Sequence, residues 1–159
     1  PAPDAPGDAG PSGAPTSSTS GDPGTIQPGN LGQWPVMLHL VPPRAPFFRG
    51  KELCVLSSCA PAAMPDAQWP FIRGRGVVMA CPKLDRTTGY LEKLAEILAE
   101  PSIPRAVVVR MEVPCCGGLT ALAAKAAEAS GRDDLEVVEA TVSMRGELLR
   151  ERKVWGPRG

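Results

Sequence analysis

The chain has 159 residues and equal numbers of basic and acidic side chains, 17 of each, so its length predicts one domain with a tail. The first 33 residues hold three aspartates and no Lys or Arg, which leaves only +3 on the rest. With no basic stripe and few aromatics, this argues against a nucleic-acid partner. No apolar run reaches membrane-spanning length and no signal-peptide pattern is present, so we expect a cytoplasmic protein that does not enter a membrane.

Residues 1–33 are predicted to be a disordered linker. Fourteen of these positions are Pro or Gly, and no apolar period is present. Such a segment cannot bury enough apolar surface to offset its ordering entropy. A linker joins two modules, so the chain is expected to be part of a longer protein, with its own domain at residues 34–159.

Apolar runs and helical periods alternate through that domain. Strands are predicted at 51–58, 76–80, 106–113 and 135–144, the last nearer a sheet edge. Helices are predicted at 90–100, capped by Thr87 or Thr88, and at about 118–130, ended by Gly131. The charged stretch 147–159 is expected to form a short helix with a frayed tail.

Alternation of strands and helices predicts βαβ units and therefore a parallel sheet with right-handed crossovers. The expected fold is a small, doubly wound α/β domain of the Rossmann or flavodoxin-like kind. Its mostly parallel four-stranded sheet would carry helices on both faces.

Four of the five cysteines come directly after predicted strands, namely Cys59, Cys81, Cys115 and Cys116. Ligands of open parallel sheets bind at the carboxyl ends of the strands, so three connections would bring four sulfurs to one edge. Without a secretory signal, converging thiolates indicate an iron–sulfur cluster, with zinc as the alternative. The spacings of 22, 34 and 1 residues fit neither a zinc ribbon nor a bacterial ferredoxin run.

The Cys115–Cys116 pair lies on a predicted strand-to-helix turn, where the helix dipole is expected to lower thiol pKa values. Gly117 and Gly118 follow and would let the turn bend and backbone N–H groups approach a bound group. Without a full glycine fingerprint, the evidence for a phosphate site is weak.

Other uses of these cysteines remain open. All could be structural, and Cys54, in the middle of an apolar strand, is expected to be a core residue. Cys115 and Cys116 could instead form a strained, reducible disulfide. His39, the only histidine, is more simply explained as a structural residue beside a short strand.

Several segments resemble the carboxyl-terminal half of a family of 4Fe-4S ferredoxin-type proteins of anaerobic prokaryotes. They are residues 34–43 (WPVMLHLVPP), 45–47 (APF), 81–85 (CPKLD), 92–94 (EKL) and 111–119 (MEVPCCGGL). In that family an amino-terminal ferredoxin module and a variable linker precede this domain. The resemblance implies a ferredoxin-type electron-transfer module as partner, in the same longer chain or separate.

The resemblance also implies that the four cysteines, and His39, stand at recurring positions of that family. One departure is Ser58-Cys59-Ala60, where the family commonly has Asp-Cys-Val. The Cys-Cys-Gly triplet is similar to the cysteine-rich domain of heterodisulfide reductases, but the trailing Cys-x-x-Cys of that domain is absent.

Three hypotheses follow. The first is a redox domain in which Cys59, Cys81, Cys115 and Cys116 hold a 4Fe-4S cluster and exchange electrons with the ferredoxin module. The second is a metal-free dithiol enzyme or sensor that uses Cys115–Cys116, with Cys59 or Cys81 as a resolving thiol. The third is a docking module whose cysteines are structural.

Overall fold

The computed structural model describes residues 28–157, so most of the predicted linker lies outside the described residues. The strands are β1 (Leu53–Ser57), β2 (Gly76–Ala80), β3 (Arg105–Met111), β4 (Glu136–Val142) and β5 (Leu148–Trp155). The helices are α1 (Ala60–Ala63), α2 (Tyr90–Leu98) and α3 (Gly117–Ala129).

The strands form one sheet in the order β2-β1-β3-β4-β5, in which the first four are parallel and β5 is antiparallel to β4. Helices α2 and α3 share a hydrophobic core on one face, while α1 and the turn after it cover the other face. The predicted doubly wound α/β fold is confirmed, with a fifth strand added. Right-handed crossovers explain why the helices lie on both faces of the sheet. The connection from β1 to β2 runs towards one edge of the sheet, whereas those from β2 to β3 and from β3 to β4 run towards the other edge.

The prediction of a helix at 147–159 was wrong, because this stretch contains β5. Its guanidinium groups bind a buried carboxylate on β4, Glu139. Arg152 donates to Glu139 from Nε at 2.8 Å, and Arg150 lies 3.8 Å from the same carboxylate. A charged, mostly exposed strand lacks the alternation of apolar and polar residues, so its sequence resembles that of a solvated helix. The sequence does not show that Glu139, which binds the arginines, is buried beside it.

The same carboxylate connects β4 to its other neighbours. Arg110 on β3 donates to Glu139 at 3.1 Å, and Thr120 on α3 donates to it at 2.6 Å. Hydrogen bonds from Arg152 first, then from Thr120, and the charge of Arg110 lower the pKa of Glu139 to about 2, although burial acts in the opposite direction. One carboxylate therefore fixes β3, α3 and β5 around β4.

Helix α2 begins at Tyr90 as predicted, but it ends at Leu98 and its N-terminal cap differs from the prediction. The predicted threonine cap is wrong, because Gly89 is the N-cap, with φ of 80° and no side-chain cap hydrogen bond. The predicted end of α3 is confirmed, since Gly131 follows it in the left-handed region with φ of 73°.

The outer edge of β2 is covered by the segment that precedes β1. The side-chain amide of Gln33 both donates to and accepts from the backbone of Val77, each at 2.8 Å. Met37 forms a parallel bridge with Met79. The end of the predicted linker, including Gln33, is therefore attached to the sheet.

The turn between β4 and β5 packs on α1. Gly146 lies in this turn with φ of 83°, and a Cβ there would collide with the carbonyl oxygen of Ala63. The turn is also held by Ser143, whose hydroxyl accepts from the N–H groups of Arg145 and Glu147, each at 3.1 Å. The hairpin thus covers α1 only because residue 146 has no side chain.

Replacing Gly146 by Ala is expected to destabilise the protein more than replacing Gly131 by Ala. Both residues have positive φ, which costs an alanine about 1–2 kcal/mol, but only Gly146 faces a backbone atom within contact distance. Urea unfolding of the two variants measures the difference. Equal losses would show that the hairpin does not pack against α1 in this way.

Glu139→Gln is expected to lower stability by about 3 kcal/mol at neutral pH, because it removes the charge that Arg110 and Arg152 surround. The folded-state pKa lies below the ordinary value of 4.5, so ionised Glu139 stabilises the fold above that pH. The stabilisation disappears as pH falls from about 4.5 towards 2. Over this pH range, the difference in free energy of unfolding between wild type and Glu139→Gln should become smaller, as measured by denaturant unfolding. Glu128→Gln, on the exposed side of α3, should have the same pH dependence of stability as wild type. A gap independent of pH would contradict the assignment.

Candidate functional site

The cysteines that follow strands lie at one edge of the sheet. Cys59 comes two residues after β1, Cys81 directly after β2, and Cys115 and Cys116 in a 3-10 turn after β3. Because β1 lies between β2 and β3, and all three are parallel, their carboxyl ends are neighbours. The chain runs from β1 outward to β2 and then crosses back past β1 to β3, so the direction of the connections reverses here. The cysteines therefore surround the switch point of the sheet, where ligands of this architecture bind.

Cys116 lies on the α1 side of the sheet and is close to both Cys59 and Cys115. Cys116 is buried in the core that contains Met111 and Ala60, whereas Cys59 and Cys115 are exposed. Burial raises the pKa of the Cys116 thiol, and the neighbouring thiols of Cys115 and Cys59 raise it further. For Cys116 the predicted lowering of the pKa by the helix dipole is therefore wrong. Burial has the largest effect on this pKa, larger than the opposing hydrogen bond with the Met111 backbone, because the side chain enters the core.

Cys81 lies apart from that trio, on the α2 side. Its backbone N–H donates to Oδ2 of Asp85 at 2.8 Å, and the same oxygen accepts from the hydroxyl of Tyr90 at 2.6 Å. Burial first, and then Asp85 and Cys81, raise the pKa of Tyr90. The β2–α2 loop that carries Cys81 is thus anchored by a partly buried hydrogen-bonded pair, Asp85 and Tyr90.

Neither Asp85 nor Tyr90 was predicted to hold a cysteine in place. Asp85 lies within the CPKLD segment, but nothing in the spacing of this segment indicates that its carboxylate accepts a hydrogen bond from the backbone N–H of Cys81. Tyr90 occupies the first helical position of α2, where the apolar period suggests only a core residue.

Cys54 is a core residue, as expected. It lies in the middle of β1 with no exposed surface, and burial raises the pKa of its thiol to about 12. His39 is exposed, and its ring packs against that of Tyr90 with centroids 4.6 Å apart. This contact agrees with a structural use of His39.

Gly117 and Gly118 are the first residues of α3, and both are exposed. Neither is among the described glycines with positive φ; Gly117 is helical, with φ of −59°. The chain therefore enters α3 directly from the 3-10 turn, with Cys115 exposed and Cys116 buried. Gly118 lines a groove of about 390 Å³ together with Pro82 and Lys125, at the edge that carries the cysteines.

The residues of this edge fit a metal–sulfur group in chemistry and in one structural detail. Four soft thiols are the donor set that iron–sulfur clusters and zinc use. The Ser57 hydroxyl, at the end of β1, is buried without a hydrogen-bond partner in the described part of the chain. Within residues 28–157 no three His, Cys, Asp or Glu side chains stand at metal-binding distances as they are, so binding through all four thiols requires side-chain rotation.

Comparison with known proteins agrees with the architecture. A family described as a Rossmann-like domain matches residues 45–156, and the chain belongs to this family. A protein of Archaeoglobus fulgidus, described as an uncharacterized protein, is 36% identical over 100 residues, which cover 63% of this chain and 70% of that protein. No solved structure matches the chain. Among residues 28–157, no helix has the length and apolar character needed to cross a membrane.

Thiol labelling should follow the burial of the cysteines. With a maleimide at pH 8, Cys59 and Cys115 are expected to react first, while Cys54 reacts only after unfolding in guanidinium. A pKa of about 12 in place of 9.0 leaves Cys54 with about a thousandfold less thiolate, in addition to its lack of access. Peptide mass spectrometry identifies the labelled positions. Early labelling of Cys54 would show that β1 is not a buried interior strand of the sheet.

Proposed function

We propose that this domain binds an iron–sulfur cluster through Cys59, Cys81, Cys115 and Cys116 and exchanges electrons with a ferredoxin-type module. One observation carries the proposal. Three adjacent parallel strands each end in one or two cysteines at the switch point, while the fifth cysteine is buried in the sheet. The resemblance of segments such as CPKLD and MEVPCCGGL to 4Fe-4S ferredoxin-type proteins supports the same function.

The width of the site favours a cluster over a single zinc ion. Neighbouring strands lie about 4.8 Å apart, so the ends of β2 and β3 are separated by roughly twice that distance. A zinc ion needs four sulfurs at about 2.3 Å from one point, whereas a cluster with several iron atoms spans a wider gap. Thiols carried by three strand ends therefore suit the larger group.

The chain's own residues would hold and shield the group. Asp85 and Tyr90 fix the loop that carries Cys81, and burial fixes Cys116 against the α1 side. Cys59 and Cys115, being exposed, can rotate to complete the set. The bound cluster would supply reversible one-electron transfer, and free thiols of this kind suit a reducing compartment such as the cytoplasm.

A second candidate is a metal-free dithiol domain. Cys115 and Cys59 both lie close enough to Cys116 to raise the pKa of its thiol. Oxidation of two of these thiols would release two protons and two electrons to a disulfide substrate, which would be reduced to two thiols. The exposed Cys115 would attack first, with Cys116 or Cys59 resolving the mixed disulfide.

Iron and acid-labile sulfide, measured on protein purified or reconstituted without oxygen, test the proposal. Wild type and Cys54→Ala are expected to bind both in cluster stoichiometry, with visible charge-transfer absorption. Cys59→Ser, Cys81→Ser and the Cys115→Ser/Cys116→Ser double variant should lose most of the bound iron while still folding. The Cys54 variant controls for the loss of a thiol as such.

Each other outcome assigns a different function. Zinc bound without sulfide would replace the cluster by a single-ion site. No metal after reconstitution, with disulfide reductase activity that depends on Cys115, would favour the dithiol domain. Neither metal nor thiol activity, with unchanged folding of the variants, would leave the cysteines structural, as in a docking module.

A further inference from the structure

Ser57 is a buried polar residue that the fold does not explain. It is the last residue of β1, its side chain is 3% exposed, and its hydroxyl has no hydrogen-bond partner within residues 28–157. Buried hydroxyl groups nearly always have partners, because an unpaired one loses its hydrogen bonds to water and gains nothing in return. An unpaired hydroxyl at this position therefore indicates that a group outside the chain accepts a hydrogen bond from it.

The position of Ser57 separates it from the other unpaired groups. In the described part of the chain, the other buried side-chain nitrogens without a hydrogen bond are Arg105 Nε, at the start of β3, and Trp155 Nε1, opposite the start of β4. Arg105 Nε nevertheless forms an ion pair with Glu136 at 3.2 Å. Both nitrogens lie at the amino-terminal edge of the parallel strands. Ser57 alone lies at the carboxyl-terminal edge, where the cysteines are.

The strand pattern places Ser57 next to the cysteine edge on the α2–α3 side. Leu53 and Val55 of β1 belong to the core that α2 and α3 cover, and residues two apart on a strand share a face. Ser57 pairs with Ala80, the residue directly before Cys81, and it precedes Cys59 by two residues. Ser57 thus lies on the α2–α3 face of β1, beside the start of the loop that carries Cys81.

Ser143 provides an internal comparison. It is also buried and directly follows a parallel strand, β4. Its hydroxyl accepts from the N–H groups of Arg145 and Glu147 and therefore has a structural use. Two buried serines at the same edge of the sheet therefore differ: the hydroxyl of Ser143 has hydrogen-bond partners, and that of Ser57 has none among the described residues.

We propose that the hydroxyl of Ser57 donates a hydrogen bond to a sulfur atom of the cysteine-bound iron–sulfur group and so raises its reduction potential. The inference rests on the proposed function. Hydrogen bonds to cluster and ligand sulfurs stabilise the additional negative charge of the reduced form, which makes reduction easier. In the metal-free protein the unpaired hydroxyl lowers the stability of the fold. When the group is bound, the same hydroxyl donates a hydrogen bond to it.

The test compares Ser57→Ala, Ser57→Thr and Ser143→Ala, in the metal-free and the reconstituted protein. In the metal-free protein, Ser57→Ala should melt at or above the wild-type temperature, because it removes an unpaired polar group. Ser143→Ala should melt about 2–6 °C lower, because it removes a paired one. In the reconstituted protein, a mediated dithionite titration measures the one-electron potential.

Ser57→Ala is expected to lower the ratio of reduced to oxidised cluster at fixed potential about three- to tenfold, which corresponds to about 30–60 mV for one electron. Ser57→Thr keeps the donor and should restore the wild-type potential, and Ser143→Ala should not change it. A Ser57→Ala protein with unchanged potential, or one that melts well below wild type without metal, would overturn the assignment. Failure of the wild type to take up iron and sulfide would overturn the proposed function itself and is seen before any Ser57 variant is made.

Discussion

The handedness of the crossover connections determines where the functional groups of this domain meet. A right-handed connection from β1 to β2 must place its linking segment on one face, and the connections to β3 and β4 must place α2 and α3 on the other. β1 consequently lies between its two successors. Cysteines that are 22 and 34 residues apart in the chain then follow three adjacent strand ends. No direct contact between the cysteines is needed to bring them to this edge.

The buried carboxylate of Glu139 holds the other half of the sheet together. It lies on β4 and binds Arg110 of β3, Thr120 of α3 and Arg152 of β5. Such a group is stable in the interior only because its charge is balanced and its oxygens accept several hydrogen bonds. Since Thr120 is in the first turn of α3, the same network also fixes the start of the helix that follows Cys116. The charged network around Glu139 therefore also helps to position the cysteine-bearing turn that precedes α3.

The edge itself is divided by the sheet into two environments. Cys116 enters the core on the α1 side, with Cys59 and Cys115 nearby, while Cys81 is held on the α2 side by Asp85 and Tyr90. Ser57 lies on the α2–α3 face of the strand that separates the two. This arrangement joins rigid positions, at Cys81 and Cys116, to exposed ones, at Cys59 and Cys115. A group bound across the edge would be oriented by the first two and enclosed by the others.

The sequence alone determined the doubly wound class and the placement of four cysteines after strands, because buried parallel strands are continuous apolar runs and their helices carry a clear amphipathic period. It also identified Cys54 as a core residue, since that thiol lies inside such a run. Only the tertiary structure decided that residues 148–155 form a strand, because the carboxylate that binds their arginines is distant in the chain and buried. It likewise decided that Cys116 is desolvated, that Asp85 and Tyr90 anchor Cys81, and that Ser57 has no partner within the described residues. Each of these depends on what lies across the sheet or on the next loop, and local patterns of residues contain no information about such neighbours.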